Sequence, residues 1–218
     1  METLELDKFG LREEKDHRIL FGQIAGEQLY FKTNIDKELQ LRAEPFLAAL
    51  LLPAMQRGAI LRMPPELVAS ATFVDNLEVL QDVFTTWFPT LSRAHIEVTT
   101  DARDQRESGC AAFFSGGVDA CYTLLKKNVE LSHLIYVRGI DMQLDQDQLW
   151  QQCLGLNRQV ADHFGKRLVA AETNVRFFIR RITAPQIGWS QAVGCGIASV
   201  AQAVGFPQNY ISSSNTFN

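Results

Sequence analysis

The stretch from Cys110 to Leu125 constrains the fold of this chain more than any other. Residues 110–114 form a continuous apolar run, which is short enough for a buried parallel strand. Two glycines follow, and the next apolar residues recur at helical spacing: Val118, Cys121, Tyr122 and Leu125. The stretch therefore predicts a strand, a glycine turn and a helix.

A strand, a glycine turn and a helix in this order suit a phosphate group. The turn directs backbone N–H groups and the positive end of the helix dipole at one point. A side chain at Gly116 or Gly117 would block close approach of the backbone to a ligand. The Ser115 hydroxyl would either donate to a phosphate oxygen or cap the helix, and the two roles are compatible. An ordinary tight turn is the alternative interpretation of the same residues.

The loop from Ser115 to Ala120 resembles the SGGxDS signature of the PP-loop ATP pyrophosphatases, the adenine nucleotide α-hydrolase-like superfamily. Five of its six positions match, and Ala120 stands where the family usually has serine. The resemblance covers roughly the second half of the chain. It implies a PP-loop or HUP-like doubly wound parallel sheet that binds ATP and Mg²⁺.

The resemblance also implies a chemistry, in which ATP is cut between its α and β phosphates and a substrate is adenylated. It assigns catalytic roles to Ser115 and Asp119, with Asp119 near Mg²⁺ as the metal ligand. The ATP-binding residues that it implies are Ser115, Gly116, Gly117, Val118, Asp119 and Ala120. From the residues alone, a structural role for Asp119 remains open, because a carboxylate in the first turn of a helix is stabilised by the dipole.

The chain divides into two predicted regions. Residues 1–104 indicate a smaller α+β region, and the charged residues within 99–109 are the best candidate for a linker. Residues 110–218 alternate strands with helices, which is typical of an α/β protein with a doubly wound parallel sheet. In the first region we expect a hairpin over 18–32, strands at 59–63 and 94–98, and helices at 43–57 and, in two pieces, 66–88. In the second we expect strands at 110–114, 133–137, 167–171 and 209–212, and helices at 119–128, 145–164, 175–182 and 189–204.

Polar residues follow each predicted strand of the second region. Ligands of an open parallel sheet lie outside the carboxyl ends of its strands, so these residues are candidates for nucleotide binding. Asp141 would hold Mg²⁺ or a ribose hydroxyl, and Asn174 and Ser213 would donate or accept hydrogen bonds. Solvated loop residues are an equally good interpretation of all three. A basic group at Arg176, Arg180 and Arg181 would either clamp an anion or form a solvated helix face.

Cys195 is the cysteine whose role is most open. It lies near the start of a predicted helix, where a thiol with a lowered pKa would act as a nucleophile or sulfur carrier. Its small apolar neighbours favour the other interpretation, a packed core thiol. The four cysteines form no C-x-x-C pair, so a structural zinc site is not expected.

Composition limits the partners. The chain has 218 residues, 46% of them hydrophobic, and a net charge of −4 without a lysine-rich tract. These values do not match a duplex-DNA binder, although RNA stays open as a partner. The acidic start carries no signal-peptide pattern, and the apolar run at 46–55 is too short for a bilayer. We therefore expect a cytoplasmic protein with a small-molecule substrate and no membrane association.

Three functions remain open on the sequence. The first is an AMP-forming enzyme that adenylates a carboxylate, amide or carbonyl oxygen before a nitrogen nucleophile attacks. The second uses Cys195 to transfer sulfur after the same activation. The third is a non-catalytic nucleotide-binding module, which Ala120 motivates. Because the chain ends soon after its last predicted strand, we expect a compact variant, a fragment, or a chain completed by a partner, and an exposed last strand would favour a homodimer.

Overall fold

The computed structural model describes residues 2–35, 39–102, 109–183 and 187–212, and these form an α/β protein. The strands in this part of the chain are β1 (Thr3–Glu14), β2 (His17–Ile24), β3 (Glu27–Thr33), β4 (Ile60–Arg62), β5 (Val68–Ser70), β6 (His95–Glu97), β7 (Thr99–Asp101), β8 (Cys110–Phe113), β9 (His133–Arg138), β10 (Arg167–Thr173) and β11 (Gln208–Tyr210). The helices are α1 (Glu44–Arg57), α2 (Ala71–Trp87), α3 (Val118–Lys127), α4 (Asp147–His163), α5 (Val175–Thr183) and α6 (Trp189–Val204).

One mixed sheet of nine strands organises the molecule, in the order β11-β8-β9-β10-β3-β2-β1-β4-β6. Strands β11, β8, β9 and β10 are parallel to their neighbours in this group. The chain order reverses at β8, because β9 lies on one side of it and β11 on the other. Strand β3 pairs antiparallel with β10, with Thr33 opposite Ala171 and Phe31 opposite Thr173. The sheet is therefore continuous from the N-terminal hairpin to the parallel strands.

Helices cover both faces of the parallel strands. On one face, α3 and α4 pack over an apolar cluster that includes Phe114, Leu124 and Leu134. On the other face, α1, α5 and α6 pack on one another and on the main core. None of the described helices combines the length and apolar character that a bilayer crossing requires.

Helix α1 shows how local sequence sets these elements. Pro45 lies in its first turn, where the missing N–H costs nothing, and Gly58 ends it in the left-handed region with φ +55°. Between them almost every side chain is buried. Phe46 packs where Gly22 of β2 has no side chain, since a Cβ there would lie 2.6 Å from the Phe46 ring. A helix that is apolar on all sides over 45–55, as here, is expected in such a central position.

Most predicted elements are confirmed, and α6 has the predicted bounds. Three expectations about the first region were wrong or incomplete. Strand β1, the longest strand described, was not predicted from the sequence. The expected two-piece helix over 66–88 is a short strand, β5, followed by the single helix α2. Part of the expected linker forms β7, which pairs with β5, and residues 103–108 lie outside the described residues.

Candidate functional site

The glycine loop, which we define as residues 115–117, leaves the sheet at β8, where the chain order reverses. Phe114 fixes its base, because this side chain is buried in the apolar cluster and its N–H donates to the Ile135 carbonyl at 2.8 Å. The next residues turn away from the sheet, and Ser115 through Asp119 are all exposed. The loop is therefore anchored at one end and open to solvent above.

The backbone of the loop is arranged as an anion site would require. Gly116 has φ +82°, a conformation that residues with side chains rarely adopt. The Gly117 N–H donates to the Ser115 hydroxyl at 3.4 Å, and α3 begins at the next residue without a side-chain cap. The first N–H groups of a helix have no partner within the helix. Here they face outward beside the positive end of the dipole, which favours a negative ligand.

Asp119 and Ala120 lie on different sides of the first turn of α3. Asp119 is exposed and makes no hydrogen bond or ion pair with the described part of the chain. Ala120 is only 5% exposed, and its side chain belongs to the apolar cluster beneath the helix. A serine side chain at this position would start from the same buried place as the Ala120 methyl group, which packs in this cluster.

Asn157 of α4 lies directly beneath the loop, and the sequence analysis did not identify it. Its side chain is 4% exposed, and its Nδ2 finds no acceptor among the described residues. Its Oδ1 lies 3.2 Å from the position that a Cβ on Gly116 would occupy. A buried donor without a partner costs about 1–3 kcal/mol, so this amide needs an explanation.

A different choice of helix face would have found Asn157. The apolar residues Leu149 and Leu156 suggest that their side of α4 is buried, but these side chains are 44% and 61% exposed. The buried face instead carries Trp150, Asn157 and Ala161, at spacings of seven and four. Helix α3 shows the same shift, because Val118, Tyr122 and Leu125 are exposed while Ala120 and Leu124 are buried.

The carboxyl end of β10 is occupied by contacts to β3. The Asn174 amide donates from Nδ2 to the Gln28 carbonyl at 2.6 Å and accepts from the Tyr30 N–H at 3.0 Å. The Thr173 hydroxyl donates to the Tyr30 carbonyl at 2.7 Å. Asn174, which was predicted to contact a nucleotide, bonds the end of β10 to the backbone of β3.

The carboxyl end of β9 is also densely bonded. Arg138 is buried and donates to the Asp147 carboxylate at 2.6 Å and to the Leu144 carbonyl. Gly139 has φ +93°, and a Cβ there would lie 1.7 Å from the Thr173 carbonyl oxygen. Asp141 follows this contact and is exposed. Its carboxylate is free to meet solvent, which agrees with either of its two interpretations.

The three arginines of α5 do not converge on one point. Arg176 donates to the Ile140 carbonyl at 2.8 Å and lies over the Trp189 ring, with its guanidinium 5.6 Å from the ring centre. Arg181 pairs with Glu27 of the N-terminal hairpin, and Arg180 is exposed. This arrangement is a set of separate surface contacts in place of an anion clamp.

Cys195 is not the exposed, low-pKa thiol that a nucleophile requires. It is 5% exposed, and burial raises the pKa of its thiol to about 12. The packed-thiol interpretation therefore fits the geometry, and the lowered pKa was wrong. The remaining predicted residue, Ser213, lies outside the described residues.

The described residues contain no group of three or more His, Cys, Asp or Glu side chains placed to hold a metal ion. No family model matches the chain, and neither a curated protein nor a solved structure matches it.

Proposed function

We propose that the chain is an ATP-dependent, AMP-forming enzyme that binds the pyrophosphate part of ATP at the glycine loop. The observation that carries this proposal is the open turn at the N-terminus of α3, with free N–H groups and an unpaired buried amide beneath. The reaction would adenylate a carboxylate, amide or carbonyl oxygen of a small molecule. A nitrogen nucleophile would then displace AMP.

The strand order supports a doubly wound, PP-loop-like fold for the second region. The parallel strands lie in the order β10-β9-β8-β11. This matches the first four positions of the doubly wound order 3-2-1-4-5-6, with β8 as the first strand and β11 as the fourth. Ligands in such sheets bind outside the carboxyl ends of the strands where the order reverses. The glycine loop follows β8, which is that position.

The residues at the start of α3 and in the loop offer separate groups for pyrophosphate and for Mg²⁺. The N–H groups at the start of α3 and the Ser115 hydroxyl would bind phosphate oxygens. Asp119, exposed one residue into the helix, would supply a carboxylate to Mg²⁺, which commonly takes one or two carboxylates together with phosphate oxygens and water. Bound Mg²⁺ would offset the charge that develops on the leaving pyrophosphate, and the loop would hold that group in position.

A non-catalytic nucleotide-binding module is the second candidate. Two observations favour it: Asp119 is the only carboxylate within residues 115–120, and Ala120 offers no hydroxyl. Transfer of sulfur through Cys195 has no such support, because that thiol is buried and its pKa is raised.

Product analysis separates the two candidates. The purified protein would be incubated with ATP, Mg²⁺ and a panel of small carboxylates, amides and carbonyl compounds, with ammonia as the nucleophile. We expect equal amounts of AMP and pyrophosphate, and at least about a hundredfold slower release in Asp119→Asn. Asp162→Asn, the same change at an exposed position of α4, is the matched control and should react normally.

Binding of ATP without release of pyrophosphate under any of these conditions would support the non-catalytic module. Neither binding nor release by the wild-type protein would overturn both candidates.

A further inference from the structure

The buried amide of Asn157 is the most unusual polar group beside the glycine loop. It shares the buried face of α4 with Trp150 and Ala161, where an apolar side chain would normally be expected. Its Nδ2 has no acceptor among the described residues. Buried donors are almost always paired in folded proteins, so an unpaired one beside a candidate ligand site indicates that the ligand supplies the acceptor.

The geometry directs this amide at the loop. Asn157 Oδ1 is 3.2 Å from the position that a Gly116 Cβ would occupy. Because glycine has no side chain, the amide can approach the loop at this point. In the structure, Oδ1 faces the loop and the unpaired Nδ2 faces away from it. A half-turn of the amide about its last torsion exchanges the two atoms, which aims the donor at the loop and places Oδ1 where Nδ2 was. Glycine at position 116 is thereby required twice, once for its φ of +82° and once for this opening.

The donors that this segment itself offers are also neutral. Residues 113–125 contain no lysine or arginine, so the segment offers an anion only its backbone N–H groups and hydroxyls such as that of Ser115. An additional neutral donor from below would complete such a site without adding a charge.

We propose that Asn157 is a phosphate-binding residue whose Nδ2 donates a hydrogen bond to an oxygen of the phosphate held by the glycine loop. The inference rests on the proposed function for the identity of the ligand, namely the pyrophosphate part of ATP. The chemistry itself requires only a phosphate anion at the loop.

The test compares two substitutions that make the same chemical change. Asn157→Asp replaces the donor by a carboxylate beneath the loop, and Asn128→Asp makes this change at the opposite end of α3, where the Asn128 Oδ1 is also buried and unpaired. The probe is inorganic pyrophosphate with Mg²⁺, titrated by calorimetry. We expect at least tenfold weaker binding in Asn157→Asp and less than a twofold change in Asn128→Asp.

A second measurement does not depend on the stability of a variant. In the ¹⁵N–¹H spectrum of the wild-type protein, the side-chain amide pair of Asn157 should shift when pyrophosphate is added to saturation. A downfield shift of an Nδ2 proton is the response expected of a new hydrogen bond to phosphate. If Asn157→Asp does not fold, this spectrum alone decides, and an unmoved pair at saturation overturns the inference.

The outcomes distinguish the two levels of the proposal. Wild-type affinity in Asn157→Asp, with AMP formed from ATP, overturns the role of Asn157 and leaves the proposed enzyme intact. Weaker pyrophosphate binding in Asn157→Asp, with no AMP formed, supports Asn157 and overturns the proposed enzyme. Failure of the wild-type protein to bind either pyrophosphate or ATP overturns both.

Discussion

The carboxyl ends of strands β8 and β10 lie at the same edge of one sheet, two strands apart. The polar groups at the end of β10 are bonded within the protein, and those at the end of β8 are exposed. At β10, the hydroxyl of Thr173 and the amide of Asn174 are bonded to the backbone of β3. At β8, the residues of the glycine loop are exposed, and the amide below them has an unpaired donor. Polar residues at a strand end are therefore candidates for ligand binding only where the protein does not already bond them.

The cause of the difference is the N-terminal hairpin. Strand β3 pairs with the side of β10 opposite β9, and its backbone bonds the polar groups at the carboxyl end of β10. Strand β8 has parallel neighbours on both sides, so no antiparallel strand reaches its end. We call the carboxyl ends of β9 and β10, together with the β3 residues bonded to them, the closed end, and we call the glycine loop the open end. The following predictions test this division.

The largest effect is expected at the closed end, from Gly139→Ala. The new Cβ would lie 1.7 Å from the Thr173 carbonyl oxygen in a backbone with φ +93°, so the strand ends must separate. We expect a loss of about 3 kcal/mol or more in the free energy of unfolding, measured with urea. Gly155→Ala is the control, because an added Cβ on that exposed turn of α4 meets nothing within 4 Å. It should stabilise by about 0.5–1 kcal/mol. Equal stability of the two variants would contradict the close contact at Gly139.

The corresponding change at the open end is Gly116→Ala. It imposes φ +82° on an alanine and places a Cβ 3.2 Å from Asn157 Oδ1. We expect a smaller loss of stability, about 1–2 kcal/mol, together with at least about a tenfold loss of ATP affinity. Urea unfolding and calorimetry measure the two effects. A variant that binds ATP with wild-type affinity would show that the loop conformation is not used for binding.

A pair of polar deletions should separate stability from binding. Asn174→Ala leaves the Gln28 carbonyl and the Tyr30 N–H without their partner, so we expect a loss of about 1–3 kcal/mol in stability and unchanged ATP affinity. Ser115→Ala removes an exposed hydroxyl, so we expect nearly unchanged stability and weaker binding. Thermal unfolding with and without ATP compares the variants directly. Weaker ATP binding in Asn174→Ala together with lower stability in Ser115→Ala would contradict the assignment of the two ends.

The smallest effect concerns pH at the closed end. Burial, and then repulsion from Glu172, raises the pKa of Tyr30, whose hydroxyl donates to Glu172 at 3.1 Å. The stability that comes from the protonated phenol is complete below the unfolded-state pKa of about 10 and is lost above it. Tyr30→Phe should therefore be less stable by about 1 kcal/mol at pH 7, and this difference should shrink as the pH rises beyond about 10. A constant difference across that range in urea unfolding would refute the assigned cause.

The sequence predicted local elements well because their signals are local. Helix α6 lies between Gly188 and Gly205, and Gly205 ends it with φ +74°, so its bounds follow from nearby residues. The glycine turn after β8 was predicted for the same reason. Strand β1 was missed because only Leu4 and Leu6 are buried among many exposed charged residues. Its partners β2 and β4 supply the stability that its own pattern does not indicate.

The site was harder to predict because it depends on contacts between distant residues. The antiparallel pairing of β3 with β10 explains why Asn174 is a structural side chain, and no local pattern indicates that pairing. Asn157 was missed because a rotation of α4 by one residue, about 100°, exchanges its buried and exposed faces. The apolar residues Leu149 and Leu156 indicate the other face of α4, on which Asn157 does not lie.

Titration of the purified protein with ATP and Mg²⁺, in parallel with Asp119→Ala, tests the central claim most directly. We predict one binding event in the wild-type protein and at least about tenfold weaker binding in the variant, because Asp119 is the only carboxylate within residues 115–120. Absence of binding to the wild-type protein, or equal affinity in both proteins, would contradict a nucleotide site at the glycine loop.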